Sequence, residues 1–276
     1  MKEYACVNSM IVAKEDASLP INDLAILRGY GVFDFFLVYD GIPLFFEDHW
    51  QRLNRSADAL HLPLPFSREE LIDILNHLYK HMPYPYAGAR ITLTGGNSPD
   101  GYAMGNAPNS LVTLQPLQPL PSTLPQKGIG LMTHEYVRPL PGVKSIDYMV
   151  GLMLFPVAKQ KGFDELLYIK DGMVSECPRS NVFAVTEYGV LITPSANVLH
   201  GITRSRIIGH ARKEMKVEER PVSLQELKAA KEVFISSTTK GIWAVGNIDG
   251  QVIGNGGAGK LAGKLYQMLL DELPEP

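Results

Sequence analysis

The first half of the chain alternates apolar runs of strand length with helical stripes. Residues 32–39 are apolar and aromatic, and Asp40-Gly41 follows with the composition of a two-residue hairpin turn. From about Glu47, apolar side chains recur every three or four positions, which predicts a helix. Further strands are predicted at 89–94 and 110–114, so helices and strands are mixed in this half.

The second half has the same mixture. Its clearest helix follows Lys144, where the apolar positions fit one helical face: Ile146, Met149, Val150, Met153, Leu154 and Val157. Strands are predicted at 129–134, 165–169, 181–186, 190–193 and 232–236. Ser67 and Ser223 each stand three residues before a glutamate, the spacing of a capping box at a helix start. The whole pattern predicts the α/β (α+β) class.

A proline-rich segment separates the two halves. Residues 116–126 contain four prolines, a density that neither a helix nor a central strand accommodates. We therefore predict a small N-terminal α/β domain at 1–115, an interdomain linker at 116–126 and a larger C-terminal domain at 127–276. A chain of 276 residues is long enough for two modest domains.

Composition excludes several classes of protein. Lysine and arginine total 26 against 29 acidic residues, and no basic block indicates a nucleic-acid partner. No apolar run is long enough to span a membrane. The two cysteines lie far apart, and the first residues lack the apolar segment of a secretion signal. We expect a cytoplasmic protein.

Lys144 and Glu176 carry the first chemical signal. Lys144 lies between a turn rich in proline and glycine and the predicted helix, and Glu176 follows in an extended segment. Pyridoxal phosphate requires both kinds of group, because an amine must form a Schiff base with its aldehyde and an anion must keep its ring nitrogen protonated. Each residue alone is more often a solvated side chain, so the pair is the informative observation.

A phosphate cup is predicted at 201–204. Gly201-Ile202-Thr203-Arg204 opens a helix, and a helix N-terminus offers free N–H groups and the positive end of a dipole. Ser236-Ser237-Thr238-Thr239 ends a strand and can add hydroxyl groups to the same phosphate. Arg52 can supply the cation, although a solvated helix face is the ordinary place for an arginine.

Two other motifs are rejected, and no metal site is predicted. Residues 254–260 fit most of a P-loop, but Leu261 stands where the hydroxyl residue that binds magnesium belongs. His77 and His81 share one face of a predicted helix, but Leu78 stands where a zinc protease motif requires glutamate. We interpret the histidines as ordinary surface residues.

The ordered set of motifs resembles the class IV aminotransferases, which are fold-type IV pyridoxal phosphate enzymes. The resemblance extends over nearly the whole chain, from Arg28-Gly29-Tyr30-Gly31-Val32-Phe33-Asp34 to the glycines near Gly256. It is strongest where Lys144, Glu176 and the two phosphate motifs follow in family order. The resemblance implies a two-domain fold, a cofactor-binding C-terminal domain and a homodimer.

The resemblance also implies roles for individual residues. Lys144 corresponds to the Schiff-base lysine and proton shuttle, and Glu176 to the partner of the ring nitrogen. Tyr148 falls near a family tyrosine that flanks the ring oxygen. Five further residues match positions that hold the phosphate: Arg52, Ile202, Thr203, Thr238 and Thr239.

The substrate motifs depart from the family pattern. Thr94-Gly95-Gly96 lacks the arginine of D-amino acid transaminases, and Arg28 stands where the family commonly has tyrosine. We predict that Arg28 and Arg90 form a relocated carboxylate clamp, because a guanidinium fork binds carboxylate through two parallel hydrogen bonds. An alternative is that either arginine only pairs with an acidic residue at the rim.

A two-arginine clamp favours D-glutamate and 2-oxo acids such as 2-oxoglutarate as substrates. D-amino acids are favoured because Lys144-Ser145-Ile146-Asp147 lacks an extra residue that many branched-chain enzymes have. The alternatives are an L-branched-chain amino acid aminotransferase, and then an aminodeoxychorismate lyase. A binding protein that has lost its chemistry is the remaining, non-enzymatic alternative.

Overall fold

The computed structural model describes residues 3–82 and 84–274, which contacts between residues divide into two units. The first unit comprises the described residues up to Pro119 together with Val143–Asp147. The second comprises Leu120–Gly142 and the described residues from Tyr148 onward. Val143–Asp147 joins the first unit although it lies beyond the predicted linker, and the proposed domain boundaries stay a prediction.

The first unit is built on a six-stranded sheet with the order β2-β1-β6-β5-β3-β4, in which all recorded pairs are antiparallel. Its elements are β1 (Tyr4–Val7), β2 (Met10–Ala13), a 3-10 turn (Lys14–Asp16), α1 (Leu24–Arg28), β3 (Gly31–Tyr39), β4 (Ile42–Pro43), α2 (Phe46–Ala59), α3 (Arg68–Tyr79), β5 (Tyr86–Thr94) and β6 (Ser110–Pro116). The core packs buried sheet residues such as Phe36 and Ile91 against Leu53 of α2 and Leu75 of α3.

The second unit is built on a ten-stranded mixed sheet with the order β12-β11-β10-β14-β15-β7-β8-β9-β13, and β16 pairs with β15. Its elements are β7 (Ile129–Glu135), α4 (Met149–Gln160), β8 (Glu165–Lys170), β9 (Met173–Val174), β10 (Asn181–Val185), β11 (Leu191–Thr193), α5 (Ile202–Ala211), β12 (Val217–Glu219), β13 (Val222–Ser223), α6 (Leu224–Lys228), β14 (Glu232–Ser237), β15 (Gly241–Ile248), β16 (Gln251–Val252) and α7 (Lys260–Leu270). The predicted α/β class is confirmed.

Backbone angles and hydrogen bonds confirm two of the local predictions, a hairpin turn and a capping box. Asp40 and Gly41 both have positive φ, 44° and 81°, as a tight hairpin turn of this kind requires. Ser67 caps α3 by accepting from the backbone N–H of Glu70, and the Glu70 side chain accepts from the N–H of Ser67. The capping box at Ser67 is therefore confirmed.

The second predicted capping box forms only in part. Ser223 accepts from the N–H of Glu226, but the Glu226 carboxylate accepts hydrogen bonds from Arg220. A guanidinium is a stronger partner for a carboxylate than a backbone N–H, so the second half of the box is lost.

The predicted inward stripe of α4 is also partly wrong. The helix begins at Met149, so Ile146 lies outside it, and Pro156 lies within it. Met149 and Met153 are 71% and 62% exposed, whereas the buried positions of the helix are Gly151 and Ala158. Small residues allow the helix to approach β8 closely, and of the predicted stripe Val150 and Leu154 still pack against the cluster of Ala158, Leu166 and Tyr168. None of the helices among the described residues is long and apolar enough to cross a bilayer.

Candidate active site

Lys144 lies in an extended segment that pairs with the start of β3. Its carbonyl accepts a hydrogen bond from the Phe33 N–H at 2.9 Å, and its own N–H donates to Ser56 Oγ at 3.1 Å. Ser145 forms an antiparallel bridge with Val32. These backbone bonds fix the lysine, and its Nζ lies 4.5 Å from the centroid of the Phe33 ring.

Arg90 lies over the same aromatic ring. It projects from β5, the neighbour of β3 in the sheet, and its Cζ is 3.9 Å from the Phe33 ring centroid. Cations are attracted to the negative face of an aromatic ring. The predicted catalytic amine and one predicted substrate arginine therefore both contact the Phe33 ring.

Arg28 has different surroundings. It is the exposed last residue of α1, and its Nη1 donates to the carbonyl of Leu27 at 2.8 Å. Its Nη2 lies 3.7 Å from the position that a Cβ would take at Gly101. Arg28 thus lies beside the glycine-rich loop that follows β5.

Arg52 is buried on α2 and forms an ion pair with Asp34 of β3. Its Nε and Nη2 each donate to the Asp34 carboxylate at 2.8 Å. His49 Nδ1 lies 2.7 Å from Asp34 Oδ1. Because an ionised carboxylate can only accept, this ring nitrogen carries the hydrogen and donates the hydrogen bond. The two N–H groups of Arg52 Nη1 have no hydrogen-bond partner among the described residues, so a fixed guanidinium keeps two donors for a ligand.

The charges of this network follow from burial and pairing. Burial opposes ionisation of Asp34, but the Arg52 charge and the hydrogen bonds from Arg52 and His49 outweigh it and hold the Asp34 pKa far below its usual range. Burial lowers the pKa of His49, and the charges of Arg52 and Lys144 lower it further against the pull of Asp34. The network therefore contains a carboxylate, a guanidinium and a neutral imidazole.

In the second unit, Glu176 is buried and accepts a hydrogen bond on each carboxylate oxygen. Its Oε1 accepts from Arg138 Nε at 2.8 Å, and its Oε2 accepts from the Leu199 N–H at 2.8 Å. Both interactions favour the ionised carboxylate. Arg138 also donates to the carbonyl of Pro141, so the guanidinium that holds Glu176 is itself fixed.

The N-terminus of α5 lies next to this segment. Gly201 is its N-cap residue and has no side chain to cap the first turn. The unpaired N–H groups of such a turn bind anions. A Cβ at Gly201 would lie 2.3 Å from Asn181 Oδ1, so glycine is required for the close approach of Asn181, whose Nδ2 donates to the Leu199 carbonyl.

Two buried hydroxyl groups complete the polar surface of this region. Ser236 pairs with Asn181 across β14 and β10, and the Oγ atoms of Ser236 and Ser237 have no hydrogen-bond partner among the described residues. Buried polar groups are normally paired, so unpaired hydroxyls indicate a missing acceptor. The open helix terminus and these hydroxyls fit a phosphate ester, and Glu176 fits a protonated ring nitrogen.

The remaining predicted residues lie on or beside elements already described. Ile202 and Thr203 are the first residues of α5, and Thr238 and Thr239 form the turn between β14 and β15. Tyr148 is the half-buried residue before α4. The roles of these residues, like those of the other site residues, stay predictions.

The two rejected motifs have ordinary structural roles. The P-loop-like stretch leads into α7, whose first-turn N–H groups at Leu261 and Ala262 donate to the Glu232 carboxylate at 3.1 and 2.9 Å. A side chain therefore already fills the place of a phosphate. His77 and His81 have ring centroids 5.6 Å apart, and no set of three metal-ligating side chains was found in 3–82 or 84–274.

Several supporting residues escaped the sequence analysis. Asp34 had a usable signal, because a lone carboxylate inside an apolar strand is rarely solvated, and His49 stands one helical turn before Arg52. Arg138 had no such signal, since it lies in an irregular segment after β7. Arg138 and Glu176 are 38 residues apart in sequence, and no motif links them, so only the fold shows that they pair.

Comparison with known proteins identifies the family. The sequence model of the amino-transferase class IV family matches residues 31–248, so the chain belongs to the class IV aminotransferases. It is similar to a putative branched-chain-amino-acid aminotransferase of Methanocaldococcus jannaschii, with 33% identity over 98% of this chain and 96% of the relative. It is also similar to a D-alanine aminotransferase of Listeria monocytogenes, with 32% identity over 97% and 95% of the two chains.

The fold comparison agrees. A branched-chain amino acid aminotransferase of T.th., solved with pyridoxamine 5'-phosphate, superposes with a TM-score of 0.88 and 25% identity over 98% of this chain and 94% of that chain. The fold is that of the fold-type IV aminotransferases, and the cofactor is pyridoxal phosphate. The predicted family, fold, enzyme class and cofactor are confirmed.

Proposed function

We propose that this aminotransferase transfers amino groups between D-amino acids, with D-glutamate preferred, and 2-oxo acids such as 2-oxoglutarate. The observation that carries the proposal is the position of Arg90. Its guanidinium lies 3.9 Å from the Phe33 ring centroid, and Lys144 Nζ lies 4.5 Å from the same point. A carboxylate bound by Arg90 is thereby held close to the amine that handles the proton of the adjacent carbon.

The stacking of Arg90 supports carboxylate binding. A guanidinium that uses its face on an aromatic ring directs its N–H donors outward in its own plane, the direction from which a carboxylate binds with two hydrogen bonds. Arg28 supplies a second guanidinium beside the loop at Gly101. We propose that it binds the other carboxylate of an acidic substrate.

The cofactor site is proposed from the same residues that the sequence singled out. Arg52, through Nη1, and the phosphate motifs at Ile202-Thr203 and Thr238-Thr239 would hold the phosphate. Glu176, held by Arg138, would bind the ring nitrogen. Tyr148 would flank the ring oxygen.

The proposed mechanism assigns one task to each residue. Bound pyridoxal phosphate supplies an aldehyde and an electron-withdrawing ring, which acidify the α-carbon of the amino acid. Lys144 Nζ would accept the proton from that α-carbon and hold it for return in the same half-reaction, and the reverse transfer would serve the 2-oxo acid. Arg90 orients the substrate so that the α-carbon faces Nζ.

A branched-chain specificity is the second candidate, because a relative named for that activity is 33% identical. The spacing after Lys144 favours D-amino acids, and the pair Arg28 and Arg90 favours an acidic side chain over a branched aliphatic one. The lyase alternative predicts release of pyruvate without any 2-oxo acid acceptor.

The experiment that tests the proposal compares three donor and acceptor pairs. D-glutamate with pyruvate should react fastest, followed by D-alanine with 2-oxoglutarate, whereas L-leucine with 2-oxoglutarate should be slow. Faster reaction of L-leucine would contradict the proposed hand of the substrate. Pyruvate formation from aminodeoxychorismate without an acceptor would establish the lyase.

The two arginines are tested in the same assay. Arg90→Ala should lower kcat/KM for D-glutamate by about 10- to 100-fold, as expected for loss of a charge-assisted bond. Arg28→Ala should affect D-glutamate more than D-alanine, because only glutamate has a second carboxylate. Arg212→Ala, at an exposed ion pair with Glu219, is the matched control. Unchanged kinetics in both test variants would refute the clamp.

We also propose a cytoplasmic homodimer. The exposed apolar side chains of α4, including Met149, Leu152 and Met153, form a face that a second copy of the chain can cover. Light scattering after size-exclusion chromatography should give twice the mass of the 30.5 kDa chain. A monomeric mass at micromolar concentration would contradict this proposal.

A further inference from the structure

Lys240 connects three segments of the second unit. Its Nζ donates to Glu165 Oε2 at 3.0 Å and to Ser180 Oγ at 3.2 Å. The same ammonium lies 5.1 Å from the centroid of the Trp243 ring. Lys240 itself closes the turn after β14, because its N–H donates to the carbonyl of Ser237 at 3.2 Å.

The position of Lys240 is unusual for a lysine on a turn. Its side chain is only 11% exposed, and that of Glu165 is 4% exposed. Lysines are rarely buried unless they are paired, and breaking such a pair leaves an uncompensated charge. Lys240 is therefore held where it is by a specific set of partners, rather than by the general solvation of a surface turn.

Two of the connected segments carry opposite ends of the proposed cofactor site. The turn that Lys240 closes contains Thr238 and Thr239, which are proposed to bind the phosphate. Ser180 ends the tight loop that begins directly after Glu176, since Cys177 and Ser180 bond to each other through their backbones. Glu176 is proposed to bind the ring nitrogen.

We infer that Lys240 is a positioning residue that holds the phosphate-binding turn at a fixed distance from the Glu176 loop. Glu165 on β8, which also lies 3.6 Å from Arg179, pairs with its charge. The bond to Ser180 adds a side-chain contact to the β10–β14 pairing that already joins the two segments. The inference rests on the proposed cofactor residues. Lys240 itself is not proposed to contact the cofactor. It acts by fixing the position of Thr238 and Thr239, which are.

The test measures cofactor affinity rather than turnover. Pyridoxamine 5'-phosphate is the probe, because it carries the ring and the phosphate but has no aldehyde for Lys144 to capture. Its dissociation constant is measured by equilibrium dialysis with the full-length protein and the variants Lys240→Met, Lys240→Arg and Ser180→Ala. Pyridoxamine, which lacks the phosphate, is measured in parallel.

Lys240→Met should raise the dissociation constant of pyridoxamine 5'-phosphate by about tenfold, the effect of misplacing a charge-assisted hydrogen bond. The dissociation constant of pyridoxamine should change less, because the variant loosens the turn that binds the phosphate and pyridoxamine has no phosphate. Lys240→Arg should restore most of the affinity, since its guanidinium can still reach the Glu165 carboxylate. Ser180→Ala, which keeps the ion pair, should have a smaller effect than Lys240→Met.

The matched control is Lys228→Met, which removes another lysine from a carboxylate pair, with Asp249 at 3.0 Å, in the same unit. Equal affinities for Lys240→Met and Lys228→Met would overturn the inference. If Lys240→Met fails to fold, an unchanged affinity in Ser180→Ala would overturn it instead. Failure of the wild-type protein to bind pyridoxamine 5'-phosphate would refute the proposed cofactor residues, a result distinct from either of these.

Discussion

At the scale of single residues, the chemistry centres on how Lys144 is held. Its backbone pairs with β3 through Phe33, and its amine lies over the Phe33 ring. A flexible lysine side chain loses much rotamer freedom in such a position. The backbone bonds and the aromatic contact offset that loss, so the amine is ordered before a substrate arrives.

Replacement of Lys144 by alanine is the most direct residue-scale prediction. Turnover should fall by about 10²- to 10⁴-fold, the contribution of a positioned general acid–base group. Binding of pyridoxamine 5'-phosphate should persist, since the proposed phosphate donors are unchanged. Steady-state kinetics and equilibrium dialysis measure the two properties.

Lys159→Ala is the control for that variant, because Lys159 is an exposed lysine whose partner is Asp164. It should retain normal turnover. Undiminished turnover in Lys144→Ala would remove the basis of the proposed proton transfers.

At the scale of elements, the N-terminus of helix α7 binds a carboxylate of the chain itself rather than a phosphate, and one glycine makes this possible. The Glu232 carboxylate accepts from the first-turn N–H groups, and a Cβ at Gly259 would lie only 1.9 Å from the carboxyl carbon of Glu232. Glycine is therefore required at the N-cap position. The glycine-rich sequence here serves packing and capping, although it resembles a phosphate-binding loop.

Gly259→Ala should lower the free energy of unfolding by about 1–3 kcal/mol, the usual cost of overpacking, together with loss of the Glu232 cap. Gly263→Ala in the same helix is the matched control, because nothing lies within 4 Å of its Cβ position. It should raise the free energy of unfolding by up to about 1 kcal/mol through helix propensity. Urea denaturation measures both changes, and equal stabilities would contradict the steric argument.

At the scale of the whole molecule, the buried network of Asp34, His49 and Arg52 links stability to pH. The pKa values of Asp34 and His49 are both lowered in the folded protein. The folded state therefore binds fewer protons than the unfolded state, so the contribution to stability is present above the ordinary pKa values and is lost as pH falls.

We expect the urea midpoint of the wild-type protein to decrease between about pH 8 and pH 5, through the ordinary histidine pKa of about 6.5. His49→Asn keeps a donor for Asp34 but cannot titrate, so its midpoint should change less over that range. His61→Asn is the control, since His61 is exposed and has a positive φ of 53°, which asparagine tolerates. An identical pH dependence in wild type and His49→Asn would refute the linkage.

The local features of this chain could be predicted from sequence because neighbouring residues decide them. The hairpin turn at Asp40-Gly41 and the capping box at Ser67 depend on contacts only a few residues long. The family could also be predicted, since Lys144, Glu176 and the phosphate motifs occur in a specific order along the chain. Strands β1, β2 and β15 were missed, because their pairing partners decide them more than their own composition does.

The sequence by itself determined the cofactor and the class of reaction, because ordered motifs require no knowledge of distances. Only the tertiary structure decided which residues contact these side chains: Asp34 and His49 contact Arg52, Arg138 contacts Glu176, and the Phe33 ring contacts Lys144 and Arg90. The exposed side chains of α4 were decided there as well. Such pairs lie far apart along the chain, and their contact depends on sheet register and packing, which periodicity does not encode.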